Sequence, residues 1–143
     1  MAKPLSGLSS TGQTIHYSVG IIIRKDNKYL LIDRANPPYG FAGIAGHIDE
    51  GENETEALVR EVKEESGLIL KNYRLLYEEE IDWNWCSKGA DLHYWYFFEG
   101  EVSGEIVKNE NETKSIGWYE RDEIGELPLE PVWDYWFKKL EII

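Results

Sequence analysis

Two runs rich in β-branched and apolar residues, Ile15 to Arg24 and Lys28 to Arg34, flank the turn-like triplet Lys25, Asp26 and Asn27 and predict a β-hairpin. Pro37 and Pro38 end that pattern, and the segment FAGIAGHI, residues 41–48, predicts one short strand. Asn53 and Glu56 have the spacing of a capping box, and Leu58 and Val62 recur at helical spacing. A helix is therefore expected over about 54–66, stopped by Gly67. YRLLYEEEIDW and LHYWYFFEGEV then read as long strands. The second alternates His93, Trp95 and Phe97 with Tyr94, Tyr96 and Phe98, as expected of a strand covered on both sides. Trp133, Trp136, Phe137 and Leu140 fall at i, i+3, i+4 and i+7 and predict a closing amphipathic helix. Residues 1–13 are polar and without periodicity, which predicts a flexible arm ahead of one domain over 14–143.

Composition supports the single domain, because 143 residues at 42% apolar and 13% aromatic content can build one packed core. A net charge of -12 argues against nucleic acid as a partner, since such binding draws its affinity from Lys and Arg on phosphates. Cys86 is the one cysteine, so no intrachain disulfide can form, which suits a reducing compartment. The apolar runs are far too short to span a bilayer and the start lacks an apolar signal segment, so a cytoplasmic protein with no membrane partner is expected.

The negative charge is concentrated. Residues 46–68, GHIDEGENETEALVREVKEESGL, hold eight acidic residues against Arg60 and Lys63 alone. Like charges one helical turn apart cost about 0.2–0.5 kcal/mol per pair, so a positive partner from outside the chain is implied. Glu61, Glu64 and Glu65 at i, i+3 and i+4 share one helix face, an arrangement of oxygen ligands that suits Mg²⁺. Zinc is not expected, because His16, His47 and His93 have no paired spacing and Cys86 has no partner.

Gly46, Glu52, Arg60, Glu61, Val62, Glu64, Glu65, Gly67 and Leu68 match every fixed position of GX5EX7REUXEEXGU, the box of the MutT-like Nudix hydrolases, where U is a bulky apolar residue. LLIDR upstream, and Trp118 and Tyr119 followed by an acidic segment, also resemble the usual Nudix layout. The resemblance implies a Nudix α/β/α sandwich around a mixed sheet. It implies Mg²⁺-dependent hydrolysis, with Mn²⁺ as a substitute, of a phosphoanhydride in a nucleoside triphosphate or a nucleoside diphosphate linked to another moiety. A small phosphorylated molecule is the expected partner, and a homodimer is left open. Carried over position by position, Glu61, Glu64 and Glu65 are the implied metal carboxylates, with a main-chain carbonyl near Ala45 or Gly46. Glu52 and Arg60 are implied as the ion pair that orients loop against helix. Glu61 or Glu64, or a glutamate outside the box, is implied as the proton acceptor.

Residues outside the box carry paired readings. Glu110 and Glu112 are candidates for a further metal ligand or base, against a solvated loop. Arg34 sits where many relatives place a phosphate-binding arginine, against a surface ion pair. Trp83, Trp85 and Trp95 could stack a base, against core packing. His47 reads as a structural loop histidine rather than an acid or base. Ile44, Ala45, Gly46 and His47 stand where many nucleotide-cleaving relatives show Pro-Gly-Gly. The AGH form keeps open an isopentenyl-diphosphate isomerase-like enzyme, although that class uses a cysteine upstream of its box and none is present there. A non-catalytic nucleotide-binding module is the other alternative, and such modules commonly lose box glutamates that this chain keeps.

Overall fold

The computed structural model describes residues 3–84, 90 and 92–143. The chain runs β1 (Ser6–Leu8), β2 (Thr14–Lys25), β3 (Lys28–Arg34), β4 (Phe41–Ala42), β5 (Ile44–His47), α1 (Glu54–Ser66), β6 (Ile69–Ile81), β7 (His93–Ser103), β8 (Thr113–Glu120), α2 (Arg121–Ile124) and α3 (Pro131–Lys139). The hairpin forms as expected. Asp26 and Asn27 both take positive φ, 52° and 64°, the left-handed turn geometry that these short polar residues tolerate best after glycine. The predicted helix is present, with the reciprocal Asn53 and Glu56 cap at its start and Gly67 in the left-handed conformation at its end.

β2 is the hub. It pairs in parallel with β7 from His16 to Ile23, antiparallel with β5 from Ser18 to Ile21, and with β3 only at Arg24 and Lys25. Past those two residues β3 swings away to pair with β8 and β4, so the mixed sheet forks. Residues 1–13 are not wholly a loose arm. β1 pairs with β2 through Ser6, Gly7 and Leu8, and the Leu5 amide donates to the Ile48 carbonyl at 2.8 Å. Polarity hid this strand, because an edge strand of three residues needs no apolar pattern of its own.

Strand alternation divides the core between two helices. Val19, Ile21 and Ile23 of β2, Ile44 of β5 and Phe98 of β7 pack with Ala57, Leu58 and Val62 of α1. On the opposite face, Trp95 and Phe97 of β7 pack with Trp133, Trp136 and Phe137 of α3. The Phe97 and Trp136 rings stack with centroids 4.3 Å apart. The result is helix, sheet, helix: an α/β/α sandwich.

Gly67 fixes how α1 ends. At φ 75°, an added Cβ would lie 2.8 Å from Val107 Cβ. Gly67→Ala is expected to destabilise the fold by at least about 1–2 kcal/mol from the left-handed backbone alone. A lowered urea midpoint with an unchanged slope checks this.

Candidate active site

The site is assembled by one guanidinium. Arg60 of α1 donates from Nε to Glu52 at 2.7 Å and from Nη2 to the other Glu52 oxygen at 2.9 Å, a two-pronged grip on the preceding loop. Its Nη2 also donates to the His47 carbonyl at 2.9 Å and lies 3.3 Å from Asp49, while Nη1 reaches Glu61 at 2.7 Å and Glu64 at 3.2 Å. Loop, strand β5 and helix are thus tied at a single point. The Arg60 hydrogen bond holds the Glu52 carboxyl below its ordinary pKa, and Glu52 in turn holds Arg60 above its own. Asp49 was not singled out by the motif, which leaves its position variable.

The three box glutamates on α1 are not equivalent. Glu61 and Glu65 are buried, whereas the Glu64 side chain is 52% exposed. Desolvation raises Glu61 to about 7 despite Arg60 beside it, and raises Glu65 well above the ordinary range, with Glu61 and Glu112 adding repulsion. Arg34 opposes this at Glu65, and the Ala45 amide donates to Glu65 at 3.3 Å. Those contributions leave burial dominant. Crowded hard oxygens whose burial outweighs the cations the chain supplies are a donor set that fits a hard divalent ion. Gly46 is required for the approach: a Cβ there would fall 2.1 Å from Glu61 Cδ.

The loop after β7 brings in Glu112. The Val107 amide donates to the Ser66 carbonyl at 2.7 Å, the Asn109 side chain to the Glu64 carbonyl at 3.4 Å, and the Ala35 amide to the Glu112 carbonyl at 2.9 Å. Glu112 acts electrostatically on both Glu61 and Glu65, while the exposed Glu110 pairs with Lys108 at 3.4 Å. Both loop glutamates are exposed, and they differ in the charges they act on.

Arg34 follows a bulge in the β3–β8 ladder and donates from Nε to the Pro38 carbonyl at 2.7 Å. It lines a small pocket with Gly46, His47, Trp95 and Glu130. Glu130 gave no sequence signal, being one acid before Pro131, yet it is buried 3.9 Å from Arg34, and burial pushes it up to about 7. Trp95 is chiefly a core residue, 4% exposed, with Nε1 donating to Asn84 at 3.0 Å and its ring 6.0 Å from that of Trp136. Trp83 is half exposed against the Tyr135 ring and lines a neighbouring depression with Pro38, Asn84 and Glu130. Trp85 and Cys86 lie outside the described residues.

His47 is not in a loop: it ends β5. Its Nε2 lies 3.2 Å from His93 Nε2, and the nearest ring nitrogens of His16, His47 and His93 all fall within 4.8 Å of one another. Linear spacing suggested that the histidines were unrelated, and strand pairing brings them together.

A NUDIX domain family profile matches residues 14–140. The chain belongs to the Nudix family. An ADP-ribose pyrophosphatase of Methanocaldococcus jannaschii is 50% identical over 66 residues, covering 43% of this Nudix chain and 39% of that protein. The NAD-capped RNA hydrolase NudC of Klebsiella pneumoniae is 31% identical over 109 residues, covering 76% of this chain and 40% of that protein. The chain thus spans about two fifths of the length of these curated relatives. Among solved structures, a MutT NUDIX hydrolase from Burkholderia pseudomallei superposes with a TM-score of 0.65 at 25% identity, covering 74% of this chain and 83% of that one. The α/β sandwich with a mixed sheet is the Nudix fold. No helix among the described residues is long and apolar enough to cross a membrane.

Two consequences can be measured. Arg60→Ala strands several carboxylates at once and is expected to cost about 1.5–3 kcal/mol in chemical denaturation. Arg60→Lys should recover only part, because an ammonium cannot reproduce the fork. Glu130 titrates near 4.5 when unfolded and about 7 when folded, so the folded state binds the extra proton between those values. Its contribution to stability is present below the lower value and is lost as pH rises through the upper one. Glu130→Gln should flatten the stability profile over that window relative to wild type, a difference that separates it from Glu61 and Glu65, whose shifts carry the same sign.

Proposed function

We propose that this Nudix protein is a Mg²⁺-dependent hydrolase of a phosphoanhydride in a nucleoside diphosphate linked to another moiety, with a nucleoside triphosphate as the nearest alternative. The observation that carries the reading is the pair of buried carboxylates, Glu61 against Gly46 and Arg60 and Glu65 at the Ala45 amide, held at a cost that solubility does not explain. The names of the relatives from Methanocaldococcus and Klebsiella point the same way. ADP-ribose and NAD both contain a pyrophosphate joining adenosine to a second group.

In this reading Glu61, Glu65 and Glu112, with Glu64 at the mouth and the backbone near Gly46, hold Mg²⁺, with Mn²⁺ as a substitute. When bound, the ion supplies Lewis-acid chemistry, drawing charge from the phosphate oxygens and easing deprotonation of water. Arg60 and Glu52 orient the helix and take no part in bond making. Glu64, the box glutamate most open to solvent, accepts the proton of the attacking water. The water oxygen bonds to one phosphorus, and the bridging oxygen leaves with the other. Arg34 holds a phosphate oxygen at the pocket wall, and Trp83 and Trp95 stand near enough to that pocket to flank the rest of the substrate.

The test is incubation in ¹⁸O-labelled water with ADP-ribose, NAD, nucleoside triphosphates and isopentenyl diphosphate, followed by mass spectrometry of products. Labelled monophosphate from a pyrophosphate-linked substrate is expected, abolished by EDTA and by Glu64→Gln, with the fold intact by circular dichroism. Uncleaved compounds, isomerisation of isopentenyl diphosphate, or full activity in Glu64→Gln would each overturn the assignment.

A further inference from the structure

The chain has only three histidines, and all three meet at one point. They come from three neighbouring strands. His16 on β2 is in register with His93 on β7, and Ser18 on β2 is in register with His47 on β5. Residues 16 and 18 share a face of β2, so all three imidazoles project from the same side of the sheet. That side is the α3 side, where Trp95 and Phe97 also point. The Nudix carboxylates belong to the other side: Gly46, one residue before His47, faces Glu61 of α1.

We propose that His16, His47 and His93 form a second metal site, separate from the carboxylates, for a late first-row divalent ion such as Zn²⁺ or Co²⁺. Imidazole nitrogens suit these ions and suit Mg²⁺ poorly. In a tetrahedral zinc site with Zn–N of about 2.0–2.1 Å, ligand nitrogens lie about 3.3–3.4 Å apart. His47 Nε2 and His93 Nε2 are 3.2 Å apart, already at that separation. The His93 Nδ1 lies 2.6 Å from the Asn84 carbonyl, which can only accept, so the His93 Nδ1 carries the proton and its Nε2 accepts a hydrogen bond from His47 Nε2. A bound ion would take the place of that shared proton, with the His47 proton moving to its other ring nitrogen or to solvent. A backbone carbonyl on the far nitrogen is the usual support of a metal-binding imidazole. The three rings are in mutual contact, with His47 and His93 planes inclined at 26° and His16 meeting His47 edge-on at 88°, and one nitrogen from each lies within 4.8 Å of the others.

The surroundings agree with this chemistry. His16 and His93 are buried, and His47 is partly so. His47 and His93 also line the pocket that holds Arg34 and Glu130. Three protein ligands would leave at least one coordination position to water or another small ligand.

The experiment uses untagged, EDTA-stripped protein in excess Mg²⁺, titrated with Co²⁺ and, separately, with Zn²⁺. One equivalent of Co²⁺ should give the intense visible bands of a four- or five-coordinate ion with nitrogen ligands. In ¹⁵N-histidine-labelled wild type, one equivalent of Zn²⁺ should shift the ring nitrogens of all three histidines. His93→Ala should weaken Co²⁺ binding by tenfold or more, and Glu64→Gln should leave it unchanged. Unmoved histidine resonances in the wild type would overturn the proposal whether or not the variant folds. So would a weak six-coordinate cobalt spectrum, or loss of binding in Glu64→Gln.

Discussion

The arrangement depends on Arg60. A guanidinium is planar, permanently charged and able to donate in five directions, and here it engages Glu52, Asp49, Glu61, Glu64 and the His47 carbonyl together. No lysine could do so, because an ammonium offers three donors from a single atom. The Arg60 contacts decide the local geometry. They set the loop at residues 49–52 against α1, fix the end of β5, and hold Glu61 at a depth where it would otherwise be costly. Stability and chemistry pull in opposite directions at this point. Glu61 and Glu65 destabilise the fold when ionised, a cost that the cation of the proposed function would offset.

How much of this could be read from the chain depended on distance along it. The helix α1 was legible in detail because its causes are local: the Asn53 and Glu56 cap, the spacing of Leu58 and Val62, and the left-handed Gly67 all act within a few residues. The same holds for the Asp26 and Asn27 turn. The partnership of Glu52 with Arg60 was legible through a motif rather than from physics, since Glu52 lies in the loop before α1, eight positions from Arg60, where no helical or strand spacing relates the two.

What escaped was long-range pairing. His16 and His93 are 77 positions apart in sequence and directly opposed in register, a relation created by the parallel pairing of β2 with β7. Nothing local forecasts which strand lies beside which. Glu130 was invisible for a similar reason, because its burial beside Arg34 follows from where the chain returns after β8. Trp95 shows the ambiguity of an aromatic strand, where a ring that could stack a base instead packs on Trp136 while its edge reaches the pocket. The polar β1 shows the converse, a strand recruited by a neighbour's open edge.

The segment between β7 and β8 looks like the tolerant surface loop where insertions normally accumulate. It is fastened at two places to the end of α1, through Val107 to Ser66 and through Asn109 to Glu64, and at a third to the chain after β3, through Glu112 to Ala35. Its span is consequently set by three anchors. An added or deleted residue between 107 and 112 would have to be absorbed by rotating Glu112 out of its place beside Glu61 and Glu65. Although solvent surrounds it, this loop has the length constraint of a buried element.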